Sequence, residues 1–238
     1  MAEEVKAEKE SVVLVKKSTL IMIIVGVIAI SVLIVGWRFL FPENIDNNIQ
    51  YIANDTPIMG NASVYVIEFS DYLCPYCQAS EGVNQGIISS LKASDPSWQA
   101  PIPQVIQEYV NTGKVSLAFR NFPVHNNNQP ALAAKCAQEQ GKYWEYHKML
   151  FENYDALTDV DLKKYAAEIS LNLSQFYQCL DYNMYQSSLD NDISDGKALG
   201  VSATPTFFIG NDELGYQKLV GAQSFSVFKQ AIESKISV

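Results

Sequence analysis

Hydrophobic positions fall into three regimes along the chain. In the first, residues 18–37 form twenty consecutive uncharged positions. Wound as a helix rising about 1.5 Å per residue, they reach about 30 Å, one hydrocarbon thickness of a bilayer. In the second, short β-branched and aromatic runs sit between polar turns. "SVYVIEF" (63–69), residues 115–120, "TPTFFIG" (204–210) and "YQKLVGA" (216–222) read as strands. In the third, from 130 to 199, apolar spacing turns helical, with helices expected at 131–140, 143–151, 159–169, 173–180 and a last one before Gly200. Further helices are expected at 75 to about 91, 105–110 and 224–236. The order is strand, helix, strand, long helical insert, strand, strand, helix, a two-part α/β layout.

The apolar run at 18–37 predicts an uncleaved anchor. A signal peptide has a shorter apolar core, about 7 to 15 residues, and a small-residue exit. Here the run leaves through Trp37, Arg38, Phe39 and Phe41, an aromatic belt. Lys6, Lys9, Lys16 and Lys17 precede it and only Arg38 closely follows, so the positive-inside bias keeps the N-terminus in the cytoplasm. The expected division is a cytoplasmic N-terminus (1–17), a transmembrane anchor (18–41), an Asn-rich linker (42–60) and a catalytic domain (61–238) with a helical insertion at about 127–200. This describes a single-pass cell-membrane protein whose domain faces away from the cytoplasm, where disulfides persist.

Composition narrows the classes. Net charge is −9, and after residue 42 there are 12 Lys+Arg against 22 Asp+Glu, a balance of −10. No basic face recommends nucleic acid as a partner.

Chemistry concentrates in "EFSDYLCPYCQASEG", residues 68–82. Cys74 and Cys77 are spaced as in a metal clamp, a structural staple or a redox pair. Zinc wants a second pair of ligands, whereas Cys136 and Cys179 are isolated and His125 and His147 lie 22 positions apart. A disulfide around two intervening residues restrains the unfolded chain little. The pair therefore reads as redox active, with no metal and no cofactor. Placed at a helix start, Cys74 meets unsatisfied N–H groups and the positive dipole end, which lower its pKa and make it the nucleophile. Cys77, one turn in, resolves the mixed disulfide, while Pro75 suits the first helical turn and Tyr76 tunes the pair. Glu68 shares a strand face with Val64 and Val66. Burial there raises its pKa and fits it to relay a proton to Cys77, the alternative being a carboxylate at a wet sheet end.

The stretches "EFSDYLCPYC", "GKVSLAFRNFPV", "ALAAKCAQEQGKYWEYHKMLF" and "GVSATPTFFIG" resemble the DsbA-like thiol:disulfide oxidoreductases of the thioredoxin superfamily, from about residue 57 to the C-terminus. The resemblance implies a thioredoxin-like fold interrupted by a helical domain, and a cis-proline at Pro205 facing the cysteines. Thr204 then offers its backbone to an extended substrate. It also implies disulfide donation to thiol-containing exported proteins and a membrane reoxidising partner of the DsbB or VKOR type. Tyr76 replaces the histidine usual in strongly oxidising members, which leaves a reductase or isomerase of the same fold as the alternative direction. A tethered, non-catalytic chaperone or peptide-binding module is the alternative from another class.

Cys136 and Cys179 both fall in the insert and are read as a structural disulfide, worth about 4 kcal/mol on the chain-entropy argument. Two buried free thiols or a second redox centre are the other options. His147 reads as a core or rim histidine and His125 as part of a polar loop. Residues 92–103, longer than this architecture expects, read as a surface loop or a partner contact. Asn61 and Asn172 match the glycosylation acceptor pattern.

Overall fold

The computed structural model describes Ile52 and residues 55–236. The expected anchor at 18–41, and with it the membrane topology, lies outside the described residues. Among those described, no helix is long and apolar enough to cross a membrane.

A five-stranded sheet in the order β1-β3-β2-β4-β5 organises the domain. Its strands are β1 (Ile58–Met59), β2 (Tyr65–Ser70), β3 (Ser116–Asn121), β4 (Thr206–Asn211) and β5 (Gly215–Val220). β2 and β3 run parallel in the register Glu68 to Phe119, β4 lies antiparallel to β2, β5 antiparallel to β4, and β1 antiparallel to β3. β1 falls inside the segment read as linker. Two residues are too short for a periodic signal, and its pairing is with Leu117 and Ala118, far along the chain.

Alternation along β2 sorts its side chains as the sequence pattern requires. Val66 packs with Ile102, Val105, Phe207 and Phe228 on one face, while Ile67 and Phe69 pack with Ala118, Phe122 and Phe208 on the other. Both faces are covered, so every β2 residue after Tyr65 is buried. Phe207 and Phe228 meet edge to face at 4.7 Å, and burying an aromatic ring of this kind is worth about 2 to 3 kcal/mol. At the β4–β5 hairpin, Gly210 has φ 153° and a Cβ there would sit 2.1 Å from the Gly215 carbonyl oxygen, so a side chain is excluded.

Between β2 and β3 lie α1 (Pro75–Ser80), α2 (Gln85–Ser94) and α3 (Pro101–Val105), the last continuing as a π-turn over Ile106–Val110. This corrects the single helix expected at 75 to about 91. Gly82, at φ 82°, turns the chain, and the Asn84 side chain accepts from Ile87 N at 3.1 Å to start α2 afresh. Of the segment 92–103, residues 95–100 form a surface loop, one of its two readings, although α2 runs on to Ser94 and the Trp98 ring is buried against Ala79 and Ile88. Pro101 opens α3 rather than blocking it, since a first-turn proline lacks only an N–H that has no partner there.

The insert comprises α4 (Gln129–Glu139), α5 (Tyr143–Glu152), α6 (Asp159–Glu168), α7 (Leu173–Asp181) and α8 (Gln186–Ala198), and α9 (Phe225–Ile236) closes the chain. A Thr158–Asp161 capping box starts α6 and the Asn172 side chain caps α7. Cys136 of α4 and Cys179 of α7 are joined, with Cα atoms 5.8 Å apart. The insert is tied to the sheet by buried charges: Arg120 on β3 pairs with Asp192 and, at 2.6 Å, with Asp195, and Lys135 lies 3.7 Å from Asp192. Removing one member of such a cluster strands the others without compensation.

Candidate active site

β2 ends at Ser70, and the four residues before α1 deliver Cys74 to the helix start. Asp71 holds this connection. Its Oδ1 accepts from Leu73 N at 2.9 Å, while its Oδ2 accepts from the backbone N–H of Val124 at 2.9 Å and of His125 at 3.1 Å and lies 2.7 Å from His125 Nδ1. The loop carrying His125 is thereby pinned beside the motif. Cys74 occupies the cap position of α1 in extended backbone, Pro75 is the first helical residue, and Gln78 N donates to the Cys74 carbonyl at 3.0 Å.

The two thiols stand in unlike surroundings. Cys74 is pulled down to about 6. The leading cause is the hydrogen bond from Cys77; Thr204 and the backbone N–H groups of Cys77 and Tyr76 add to it, against burial, which opposes it. Cys77 is fully buried and pushed up, first by loss of water and then by Cys74. Both are free thiols. As a thiol, Cys74 donates to the Thr204 carbonyl oxygen at 3.3 Å. The buried Thr204 hydroxyl has no hydrogen-bond partner among the described residues in that state, which leaves it able to donate to a thiolate. The Thr204–Pro205 bond is cis, and this turn faces Cys74 from across the fold. Tyr76 is half exposed on the rim.

Glu68 lies beneath the pair. It is fully buried, neither carboxyl oxygen has a hydrogen-bond partner among the described residues, and it is held well above the usual carboxylate range. Burial is the main cause and the neighbouring Glu81 the second; Ser70 offsets part of it. The alternative of a wet sheet end is excluded by this burial.

A second acid, Glu81, escaped the sequence reading. Burial alone pushes it up to about 8. It sits 3.4 Å from His147 Nε2, and His147 Nδ1 lies 3.1 Å from the Tyr72 hydroxyl, itself 3.3 Å from Tyr143 Oη. Burial lowers His147 to about 3, so the imidazole is neutral near pH 7. With the imidazole neutral, Nδ1–H can donate to Tyr72 and Tyr72 to Tyr143, whereas Glu81 Oε1 has no hydrogen-bond partner among the described residues. Glu81 and His147 also line a cavity of about 280 Å³ walled by Trp144, Phe151 and Ile102. The signals that could have pointed here are the acid next to Gly82 at a helix end and the histidine on the Trp144–Phe151 stripe. Among the described residues, no group of His, Cys, Asp and Glu is arranged to hold a metal ion.

The structure thus gathers Cys74, Cys77, Glu68, Pro75, Tyr76, Thr204 and Pro205 at one end of the sheet, and keeps the Cys136–Cys179 bond apart in the insert. Chemically, a low-pKa thiol beside a buried high-pKa thiol can open and close a disulfide.

Known proteins resemble this chain in sequence and in fold. The chain is 32% identical over 152 residues to the Na(+)/H(+) antiporter NhaA 3 of Salinispora tropica, a match that takes in 62% of this chain and 20% of that protein. It spans about a fifth of the length of the curated relatives it matches first. It is 24% identical to disulfide bond formation protein D of Bacillus subtilis, over 76% of this chain and 77% of that protein. The crystal structure of Wolbachia pipientis alpha-DsbA1 superposes with a TM-score of 0.64 at 23% identity, covering 80% of this chain and 96% of the other, a likeness of fold. A sequence model described as thioredoxin matches residues 97–234, which begin after the cysteine pair and include Thr204, Pro205 and the whole insert. On this match, together with the sheet order and the DsbA-like insertion, the chain belongs to the thioredoxin family.

Proposed function

We propose that this chain is a membrane-anchored thiol:disulfide oxidoreductase acting on the extracytoplasmic side, and that it donates the Cys74–Cys77 disulfide to exported proteins. The observation that carries this reading is the asymmetry of the pair: a thiol near pKa 6 beside one raised by burial. Stabilising the Cys74 thiolate stabilises the reduced form, and that makes the disulfide the better oxidant.

In the oxidised state, a substrate thiolate attacks Cys74 Sγ. The new S–S bond forms as the Cys74–Cys77 bond breaks, and the electron pair leaves on Cys77. Cys77 then takes a proton, and the reading assigns its supply to Glu68, whose burial and raised pKa support that role. A second substrate thiolate attacks its partner sulfur in the mixed disulfide and expels Cys74 as a thiolate, which needs no proton at neutral pH. The substrate has lost two electrons and the chain has gained them. A membrane partner of the DsbB or VKOR type would accept those electrons, and the anchor at 18–41 would hold the domain beside it. The Thr204 backbone next to Pro205 is positioned to pair with an extended substrate segment.

Equilibration of the pair against glutathione tests the direction. The donating reading expects a potential above about −200 mV, and a value at thioredoxin's roughly −270 mV contradicts it in favour of a reductase.

A further inference from the structure

A groove of about 560 Å³ runs from the motif along the surface, with Tyr76 and Thr204 at one end and Leu91, Asp95, Trp98 and Val227 farther along. Thr204 touches Cys74, so a chain attached to Cys74 passes over this groove. One wall is the segment after α2 that the sequence marked as over-long. It is built in rather than draped: Trp98 Nε1 donates to Ala222 O at 2.9 Å, Phe225 N donates to Gln99 O at 3.0 Å, and Gln99 N donates to Ser224 Oγ at 3.3 Å. A wall fixed at three points needs little ordering when a ligand arrives.

We propose that this groove selects thiol substrates with a cationic residue next to the cysteine, and that Asp95 is the group that recognises it. The inference rests on the oxidoreductase reading and specifies its substrate class. Asp95 is the only carboxylate in the groove lining, which contains no lysine or arginine. Its Oδ1 accepts from Ser97 N at 2.9 Å and from Ser97 Oγ at 2.6 Å, which orients the carboxylate and leaves Oδ2 without a hydrogen bond among the described residues. Leu91, Trp98 and Val227 supply apolar surface for the methylene stem of a lysine or arginine, whose charged head then reaches Oδ2. An acidic residue in the same place meets a like charge with no compensating cation.

The test uses the oxidised full chain and three single-cysteine peptides that differ only in the residues flanking cysteine: Lys, Gln or Glu. The peptide thiolate attacks Cys74 Sγ, the Cys74–Cys77 bond breaks, and Cys77 leaves with the electron pair and takes a proton. Formation of the mixed disulfide is followed by acid quench and mass spectrometry. Each rate is divided by that peptide's rate with an uncharged disulfide, 2-hydroxyethyl disulfide, which removes the flanking charge's effect on the peptide thiol itself. The expected preference for Lys over Glu is about five-fold at low salt, the scale of one exposed ion pair gained and one repulsion avoided, and it shrinks as salt rises. Asp95→Asn reduces it below about two-fold and Asp95→Lys inverts it. Equal normalised rates in the unsubstituted chain, or a preference that survives Asp95→Asn, overturn the proposal. Failure of dithiothreitol to reduce the unsubstituted chain overturns the oxidoreductase reading and this inference with it.

Discussion

Replacing Glu81 by glutamine isolates the buried acid behind the active site. The wild-type carboxyl moves from an ordinary value of 4.5 to about 8 on folding, because its side chain is only 12% exposed and loses water. A folded value above the unfolded one means that the contribution is fully present below pH 4.5 and is lost as pH rises to about 8. Over that window the unfolded chain releases a proton that the folded chain keeps, and stability falls by about 1.4 kcal/mol for each pH unit. The whole span sets a ceiling of about 5 kcal/mol. The residual exposure reduces the expected gap between pH 5 and pH 8 to about 2 to 4 kcal/mol, in favour of Glu81→Gln. Glutamine is uncharged and matches the protonated acid in size, so the two proteins start close together at pH 5. Thermal unfolding of the detergent-solubilised chain at half-unit pH steps reads this as a Tm difference opening by about 5 to 15 °C. Parallel Tm curves across pH 5 to 8 would show that Glu81 ionises normally in the fold, and the account of it as an acid held protonated by burial would fall with them.

Two other predictions concern the scaffold. Cys136→Ala with Cys179→Ala opens a link spanning 43 positions; the double variant is expected to lose about 4 kcal/mol in denaturant unfolding while keeping the reactivity of Cys74, and unaltered stability would mean the bond restrains nothing. Gly196→Ala places a Cβ 2.6 Å from Phe122 Cδ2 and 3.1 Å from Phe69 Cδ1, and the forced repacking of α8 on the sheet is expected to lower stability by about 1 to 3 kcal/mol. The gain of about 1 kcal/mol that Ala brings over Gly in an exposed helix would contradict the close approach.

Much of the fold could be read from the chain because its elements carry local signals. β2 is legible from the alternation of "SVYVIEF", and the insert from repeated helical spacing with Thr158 and Asn172 at starting positions. The features that escaped are those whose cause is distant in sequence. β1 exists only because Leu117 and Ala118 offer it a partner. The break between α1 and α2 depends on the positive φ of Gly82, which an apolar pattern running through it does not reveal. Glu81 looks like a helix-end acid until α5 brings His147 over it. Arg120, in a run read simply as strand, becomes the centre of a buried ion cluster when α8 supplies Asp192 and Asp195. At the site, the cysteines and Glu68 were visible in one short stretch, whereas the acid and histidine behind them were assembled by packing. Trp98 shows the same limit: it lies in the segment read as a surface loop or a partner contact, yet its ring fills a small core between α1, α2 and the turn after β5.

The central claim is that Cys74 is the nucleophile and Cys77 its buried partner. Alkylation of the reduced chain by iodoacetamide, followed from pH 4 to 10 with each cysteine resolved by peptide mapping, tests it most directly. The account predicts a midpoint near 6 for Cys74 and a Cys77 that resists modification throughout. A Cys74 midpoint at the free-thiol value of about 8.5, or equal rates at the two sulfurs, would contradict it.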